Sequence, residues 1–521
     1  MYDDFGKGLN LFTRDTMLKE NESPLAYNVW AVGKNSIKKR PGIVKLCTIA
    51  GASKIDGLGT FYNGATRELL AMANGLVYKV QTGTAVALSA APVSANVFTS
   101  GNRTDWCQAG GNLFVTNGVE NMRVYDGTRI SDQTGSIIAK YMIFYKGCLW
   151  AAGNTGAGNG TRLYRSGNDT NIGNFTNSTA NPIATSTYIS QSDGQDLKGF
   201  FKHQDYLYPV KERSLWRTSV GTDSLQLITN EMVDPARGCD SHFSIDTVDN
   251  DNFMFNEIGV FATGYEPNIL DQIRTNIVSL RIDQRLKQIE KSRLTEVVGI
   301  YYDNHYYLSY TSGGGGYNDT IMVYDRQRLG WYEFQVSDAS GNLTGANCFS
   351  EYKNTSGQTR LYFGSATDGS IYYFDDAIKQ DAGWTIITDF KTGKWSFGDY
   401  SQMKFFTQAL VYFGKTPGKP TINVYIDGIL AYTVAIPIGT SGGAGEGIEK
   451  IGVGKIGVGG GSLSIADTGG GDFVRIPLNK MGRNIQFEIT DEDLTGQKSW
   501  ELNSIHVQFK KLSNAFQPGT R

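Results

Sequence analysis

The acidic turn at residues 246–252 (DTVDNDN) groups enough side-chain oxygens to chelate a calcium ion. It lacks the glycine and the distant bidentate glutamate of an EF-hand loop, so the spacing does not favour that kind of site. The alternative is an ordinary hairpin turn. The sequence therefore predicts a turn at this position and no metal site.

Four successive glycines at residues 313–316 could in principle cradle a phosphate, since they separate predicted strands at 306–308 and 321–323. No helix follows them, and a phosphate loop depends on the aligned N–H groups of a helix start. We therefore interpret them as a hairpin tip. Four nearby tyrosines could stack on sugars or bases, although packing between neighbouring sheets is the favoured interpretation. They are Tyr301, Tyr302, Tyr306 and Tyr307.

The common catalytic motifs are missing from the sequence. It contains no G-x-S-x-G elbow, no Walker loop and no H-E-x-x-H motif, and its four histidines are scattered. The turns at 192–194 and 365–369 have the wrong spacing for sialidase-type S-x-D-x-G-x-x-W repeats. We predict no catalytic residue, no cofactor site and no metal ligand, and we expect that the protein is not an enzyme.

The composition favours an all-β protein with packed cores. The chain has 521 residues, of which 40% are hydrophobic and 12% aromatic, so wholesale disorder is excluded. It contains 63 glycines against 12 prolines, together with 28 tyrosines and 26 phenylalanines. This balance is typical of short strands joined by tight turns, and it excludes a helical bundle.

Charge and cysteine content set limits on the partners of the chain. With 49 Lys and Arg against 51 Asp and Glu, the protein has no strong basic field that would hold nucleic acid nonspecifically. Its five cysteines are widely spaced and never form a C-x-x-C pair, which indicates buried thiols in a reducing compartment. We expect no signal peptide and no membrane insertion, because residues 1–10 carry Asp3 and Asp4 and no long apolar window follows.

A repeated pattern of short strands, Gly/Asn/Asp turns and aromatic residues runs from about residue 55 to 376. We count seven hairpins whose starts lie roughly 35–60 residues apart, a range that includes the 40–50 residues of a propeller blade. The sequence predicts an irregular six- or seven-bladed β-propeller over 55–383. The alternative is a sandwich or a meander of unrelated hairpins.

Three other segments depart from this pattern. Residues 268–298 have apolar positions at helical spacing, which predicts an inserted helix that lies across the propeller face or forms a subunit contact. Residues 384–521 predict a C-terminal β-sandwich. Its glycine-rich segment at 439–472 is interpreted either as a mobile loop or as an arm that orders on assembly. Residues 1–54 form an N-terminal arm that leads into the first blade.

The N-terminal segment carries the most informative motif. It reads Gly8-Leu9-Asn10, then NESPLAYNV at 21–29, then SIKKRPG at 36–42. This order resembles the opening of the bacteriophage tail nozzle family, also called tail tubular protein B-like, in which such a line precedes a β-propeller with an inserted helix. The family-like residues are Asn28, Lys38, Lys39, Arg40, Pro41 and Gly42.

The physical roles predicted for this motif are structural. Pro41 holds Arg40 in an extended conformation, Gly42 permits a turn, and Asn28 caps a turn. The cluster of Lys38, Lys39 and Arg40 could pair with acidic groups of a neighbouring subunit. The alternative is a solvated basic turn.

The resemblance implies a structural virion protein of the phage tail, assembled in the bacterial cytoplasm. It implies a homohexameric ring below the portal and adaptor, contacts with adaptor and tail fibre or tip proteins, and double-stranded DNA that passes through the channel without specific binding. An alternative is a glycan- or receptor-binding tail protein that presents Trp384, Trp395 or Tyr412 to a polysaccharide. A third hypothesis is a carbohydrate-active propeller enzyme whose paired carboxylates the sequence does not single out.

Overall fold

The structure is a computed structural model and describes residues 2–64, 66–222, 226–265, 273–354, 356–414, 420–435, 472–491 and 499–512. The described residues form an all-β protein, as the composition predicted. They divide into two compact units. The large unit comprises Val44–Ile321 and Leu343–Phe374, and the small unit comprises Met1–Ile43, Met322–Asn342 and Asp375–Arg521.

Seven groups of mainly antiparallel strands, called sheets 1 to 7 in chain order, contain most strands of the large unit; sheets 1 to 5 are separate, whereas sheets 6 and 7 are parts of longer sheets. Sheets 1 to 5 are antiparallel and each have four main strands, with Ala90–Ala91 added in parallel to sheet 2. Their strands are Gly57–Asn63, Thr66–Ala73, Leu76–Gln81 and Thr84–Ala87 (sheet 1); Asp105–Ala109, Asn112–Thr116, Arg123–Tyr125 and Ile130–Asp132 (sheet 2); Tyr141–Tyr145, Cys148–Ala152, Arg162–Arg165 and Thr185–Tyr188 (sheet 3); Leu197–His203, Tyr206–Lys211, Leu215–Val220 and Ile228–Asp234 (sheet 4); and Asp246–Val248, Asp251–Asn256, Gly259–Tyr265 and Ile273–Ile277 (sheet 5).

Sheets 6 and 7 complete this series. Sheet 6 begins with the hairpin of Val298–Tyr302 and His305–Tyr310, after which the chain runs through Thr320–Asp325 into the small unit. Sheet 7 contains Ala346–Lys353, Thr359–Ser365 and Ser370–Asp375. The early strand Gly42–Thr48 lies next to Ser370–Asp375, so residues from the start of the large unit complete its last sheet.

The first strands of the seven sheets, called the inner strands here, follow one another in cyclic order. Those of sheets 1, 2, 3 and 4 contact each other in sequence, and Val298–Tyr302 contacts Ala346–Lys353, which returns to Gly57–Asn63. The step from sheet 4 to sheet 5 runs through the 3₁₀ turn His242–Ser244 and through Asp251–Asn256. This cyclic arrangement of small antiparallel sheets is the coarse feature that the hairpin pattern predicted.

Apolar side chains fill the spaces between successive sheets. Leu207 packs toward sheet 3, in a cluster with Trp150, whereas Tyr208 packs toward sheet 5, in a cluster with Met254. Successive residues of a strand point to opposite faces, so each sheet serves two neighbouring cores. The last of these clusters joins Tyr362 and Ile371 of sheet 7 to residues of sheet 1.

The predicted helix over 268–298 is wrong for most of that segment. Residues 268–272 lie outside the described residues, and Ile273–Ile277 is a strand that pairs with Gly259–Tyr265. Only short helical turns follow: Leu280–Ile282, Asp283–Leu286 and Lys291–Glu296. Isoleucine and threonine favour strands, and pairing with an existing edge decides between the two periodicities.

The small unit contains two main sheets. The first has the order Val29–Val32, Ser36–Lys39, Glu501–Lys511, Lys404–Phe413, Asp472–Gly482. The second contains, in order, Gly330–Phe334, Leu25–Tyr27, Thr388–Lys391, Ile485–Asp491, Thr421–Ile426 and Ile429–Ala435. Alternating burial along Thr421–Ile426 shows that this strand has one core face.

The boundaries of these units differ from those predicted. The predicted arm at 1–54 is divided between them, since Met1–Ile43 belongs with the C-terminal strands and Val44 begins the large unit. Four further two-residue strands are Val336–Ser337, Leu343–Thr344, Gln380–Asp381 and Trp384–Thr385. Of the predicted glycine-rich segment at 439–472, only Asp472 lies within the described residues, as the first residue of a strand.

Candidate functional site

Arg40 of the family-like motif is fully buried inside the small unit. Its guanidinium binds both carboxylate oxygens of Asp381, with Nη1 2.9 Å from Oδ1 and Nη2 2.5 Å from Oδ2. Nε donates to Asn28 Oδ1 at 2.8 Å, and the two remaining N–H groups donate to the carbonyl oxygens of Pro41 and Gln335. All five donors of the guanidinium are therefore satisfied, as burial of this group requires.

Asn28 connects the same cluster to two more segments. Its Oδ1 also accepts the backbone N–H of Gln335 at 2.9 Å, and its Nδ2 donates to the carbonyl of Ile387 at 2.8 Å. The backbone of Asn28 has a positive φ of 55°, which asparagine tolerates better than most residues. The cap predicted for Asn28 is thus a buried link between distant segments.

The two lysines of the motif have different surroundings. Lys39 is fully buried, and its Nζ lies 3.1 Å from Oδ2 of Asp491, which is also buried. Lys38 is partly exposed and pairs with Asp376 at 2.8 Å, whose side chain is 56% exposed. Adjacent residues of a strand face opposite sides, so one lysine faces the core and the other faces solvent.

The close approach of another backbone explains the glycine of the motif. A Cβ built on Gly42 would lie 2.2 Å from the carbonyl oxygen of Gln380. The N–H of Gly42 donates to the carbonyl of Ile378 at 2.8 Å. Any side chain at this position would force these backbones apart.

These contacts correct the predicted role of the motif. Lys39 and Arg40 form neither a solvated basic turn nor a surface for a neighbouring subunit, because both are buried against aspartates of their own chain. Only Lys38 remains near the surface. The partners Asp381 and Asp491 lie more than 300 residues after the motif, so the sequence around residue 40 does not indicate these ion pairs.

The three aromatic residues proposed for glycan binding differ in how far their side chains are exposed to solvent. Trp384 is 42% exposed, whereas Trp395 is 4% exposed and stacks on Tyr2 with ring centroids 3.8 Å apart. Tyr412 is half-buried and packs against Phe473. Of the three, Trp384 alone offers an exposed ring.

The motifs with which the sequence analysis began have structural surroundings. The acidic turn joins Asp246–Val248 to Asp251–Asn256, so the hairpin interpretation is confirmed. Residues 313–316 lie between strands His305–Tyr310 and Thr320–Asp325. Tyr306 and Tyr307 are buried, in agreement with the packing interpretation.

Burial raises the pKa of the Asp246 carboxyl to about 6, although hydrogen bonds from the N–H groups of Tyr301 and Thr247 lower it.

A cavity of about 280 Å³ lies in the large unit where the inner strands begin. Most of its lining residues come from, or closely precede, the first strands of sheets 1, 2, 3, 4 and 6, whereas Asn117 follows the second strand of sheet 2 and Phe243 comes from the turn before sheet 5. We call it the basic cavity, because four of its lining residues are cationic. These are Lys54, Arg103, Lys140 and Lys198, accompanied by one carboxylate, Glu296.

Few acidic groups neutralise the cations of the basic cavity. Lys54 lies 3.7 Å from Oδ1 of Asp56, whereas Arg103, Lys140 and Lys198 have no carboxylate within ion-pair distance among the described residues. Glu296 pairs with Arg293 at 2.5 Å. Like charges that share a cavity repel each other, so this arrangement attracts anions.

Arg103 joins the basic cavity to a second cavity of about 210 Å³, which it also lines. Its Nη2 donates to Asn347 Oδ1 at 2.8 Å, and its guanidinium lies 5.7 Å from the ring centroid of Phe243. Nη1 is buried and has no hydrogen-bond partner among the described residues. Burial lowers the pKa of Arg103 to about 10, which still leaves it charged at neutral pH.

Sequence reasoning missed this cavity, and the reason is topological. Each of its cations lies in a different connector or at the start of a different strand, tens of residues from the next. The available signal was the hairpin repeat itself. Lys54, Arg103 and Lys140 each lie within a few residues before the start of an inner strand, at Gly57, Asp105 and Tyr141.

The described residues contain no group of three or more His, Cys, Asp or Glu side chains arranged to hold a metal ion. In the same part of the chain no helix is long and apolar enough to cross a membrane.

No protein-family model and no curated protein matches the chain. Among solved structures, the N-terminal domain of Nup159 aligns at a TM-score of 0.38 and 10% identity, covering 67% of this chain and 98% of that chain. BBS1N in complex with ARL6DN aligns at 0.38 and 8%, covering 64% and 97%. PorZ of Porphyromonas gingivalis aligns at 0.34 and 12%, covering 71% of this chain and 44% of its own. With identities and TM-scores this low, the likenesses carry no functional argument.

Proposed function

We propose that this chain is a structural protein of a bacteriophage tail, a nozzle component that assembles as a homohexameric ring around the DNA channel. The observation that carries the proposal is the arrangement of the family-like motif. Arg40 and Asn28 bind residues 335, 381 and 387 at once, so the motif organises the small unit. Such a role is architectural and needs no catalysis.

The finer description of the fold belongs to the same proposal. We infer that the seven sheets of the large unit are the blades of a seven-bladed β-propeller, closed by Gly42–Thr48 in the seventh blade. The support is the cyclic contact order of the inner strands. We also infer that the two sheets of the small unit pack as a β-sandwich, supported by the alternating burial of Thr421–Ile426 and Lys404–Phe413.

The test of this function is the assembly state of the purified full chain. Light scattering over a concentration series, together with negative-stain electron microscopy, should give a sixfold ring in solution or on co-expression with the tail adaptor. A chain that stays monomeric in both settings would contradict the nozzle assignment.

A second candidate function rests on Trp384. Its ring is 42% exposed, and exposed tryptophans supply large stacking surfaces to sugars. If the chain binds host glycan, saturable binding to cell-wall polysaccharide should be lost in Trp384→Ala and kept in Tyr400→Ala, where another exposed ring is removed. Equal binding by both variants and the unmodified chain would exclude this ring as the contact.

A further inference from the structure

We propose that the basic cavity binds a small molecule that carries phosphate groups with at least two negative charges. This inference concerns the large unit alone, and it stands apart from the proposed role in a phage tail. It rests on the cation count, the lack of neutralising carboxylates and the volume of the cavity.

The charge balance requires a multiply charged ligand. Of the four lining cations, Lys54 pairs with Asp56, and the one lining carboxylate, Glu296, is already engaged by Arg293, which leaves three cations without an ion pair among the described residues. A single carboxylate would leave most of the positive charge uncompensated, whereas a diphosphate spreads several negative oxygens over the lining. Arginine and lysine together are the usual partners of phosphate, the first through its fork of donors and the second as a point charge.

The surroundings of Arg103 point to the same kind of ligand. Asn347 and Phe243 hold its guanidinium in place, and Asn347 is fixed in turn by donating to the carbonyl of Ile55 at 2.7 Å. Glu296 and Asp56 attract it electrostatically, but no carboxylate lies within ion-pair distance of it among the described residues. A partly buried cation that is positioned but not neutralised gains most from a bound anion, because screening by water is weak there.

The volume limits the ligand to a small molecule. About 280 Å³ lies at the lower end of the range for small-molecule sites, and it excludes a nucleic acid duplex as the occupant. Asn117, Asn102 and Thr295 add polar groups to the lining; the hydroxyl of Thr295 can donate a hydrogen bond to a phosphate oxygen, whereas the amides of the two asparagines already donate to Glu120 and to the carbonyl of Thr99.

The experiment titrates sodium pyrophosphate into the full chain by isothermal calorimetry at low ionic strength. We expect saturable binding that weakens as sodium chloride is added, because the attraction is electrostatic. Sodium acetate at matched ionic strength should give no saturable heat. Absence of pyrophosphate binding at low ionic strength would overturn the proposal.

The variants remove lysines that line the cavity or, as the control, a lysine that lies outside it. Lys198 lines the cavity and Lys202 is exposed on the same strand without lining it. The double variant Lys140→Gln/Lys198→Gln should weaken pyrophosphate binding at least about tenfold, since each charged hydrogen bond to a ligand contributes substantially. Lys202→Gln should bind like the unmodified chain. Equal affinity of the double variant and the Lys202→Gln control would refute the site.

Two further probes separate the sources of the phosphate. ATP that binds at least as well as pyrophosphate, and is lost in the double variant, would support a nucleotide as the occupant. A single-stranded DNA oligonucleotide that displaces pyrophosphate and depends on the same lysines would replace the small-molecule proposal by a nucleic-acid contact. Circular dichroism of every variant checks that the fold is intact.

Discussion

The ion pair between Arg40 and Asp381 links distant segments of the small unit. Both side chains are almost fully buried and bind bidentately. Removing one member of a buried ion pair leaves the other charge uncompensated, here that of Arg40. Asp381→Asn should therefore destabilise the small unit by about 3–5 kcal/mol. The control Asp376→Asn removes a half-exposed carboxylate that pairs with Lys38 and with Lys379, and it should cost at most about 2 kcal/mol, about 1 kcal/mol for each pair.

Hydrogen exchange measured by mass spectrometry suits this comparison, because peptides of the two units report separately and a single unfolding midpoint does not. Protection should fall in peptides of the small unit for Asp381→Asn and stay near that of the unmodified chain for Asp376→Asn. Similar losses for the two variants would contradict the structural role assigned to Arg40.

Asp246 provides a pH-dependent prediction at the same scale. Burial raises the pKa of its carboxyl from 3.8 to about 6 in the folded state, so folding favours the protonated form. The contribution of Asp246 to stability therefore decreases as pH rises between 3.8 and about 6, by less than about 1.4 kcal/mol per pH unit. The side chain in Asp246→Asn stays neutral. In urea unfolding, the free energy of unfolding of this variant should therefore rise relative to that of the unmodified chain as the pH increases across this window. A constant difference would show that the carboxyl is not buried.

Some contacts between strands require a glycine, because two backbones approach too closely there for any side chain. The carbonyl of Gln380 occupies the space that a side chain at residue 42 would need. We therefore expect Gly42→Ala to destabilise the small unit by about 1–3 kcal/mol, measured by hydrogen exchange. In the control Gly414→Ala, the nearest atoms belong to the side chain of Glu501, 3.2 Å away and able to move. Equal effects of both alanines would argue against the close approach.

Packing between sheets 7 and 1 tests the cyclic order of the large unit. Ile371 is fully buried in the cluster that contains Leu58 and Leu69 of sheet 1. Ile371→Ala should cost about 2–5 kcal/mol and lower the protection of amides in both sheets. Ile258→Ala, at an isoleucine that is 55% exposed, should change protection little. Loss confined to sheet 7 would contradict contact between the first and last sheets.

Across the whole molecule, the sequence predicts local features and does not predict contacts between distant segments. The hairpin pattern predicted the small antiparallel sheets, because turn residues and alternating aromatics are local signals. The partners of Arg40 could not be predicted, since Asp381 lies 341 residues away. The helix predicted over 268–298 is wrong at 273–277, because pairing of these residues with Gly259–Tyr265 outweighs the local spacing of apolar residues. The basic cavity depends on connectors that only the closed order of the sheets brings together.

The chain as a whole is proposed to work by assembly. Near-neutral net charge, −2 at pH 7, fits a channel component that must let DNA pass, because a strongly basic lining would retain it. Electron microscopy of phage particles from the source of this sequence, labelled with gold-conjugated antibodies raised against the purified chain, is the most direct measurement. The account predicts gold at the distal end of the tail, at a sixfold ring below the adaptor. Particles that carry no label, with the chain also absent from their mass spectrum, would contradict it.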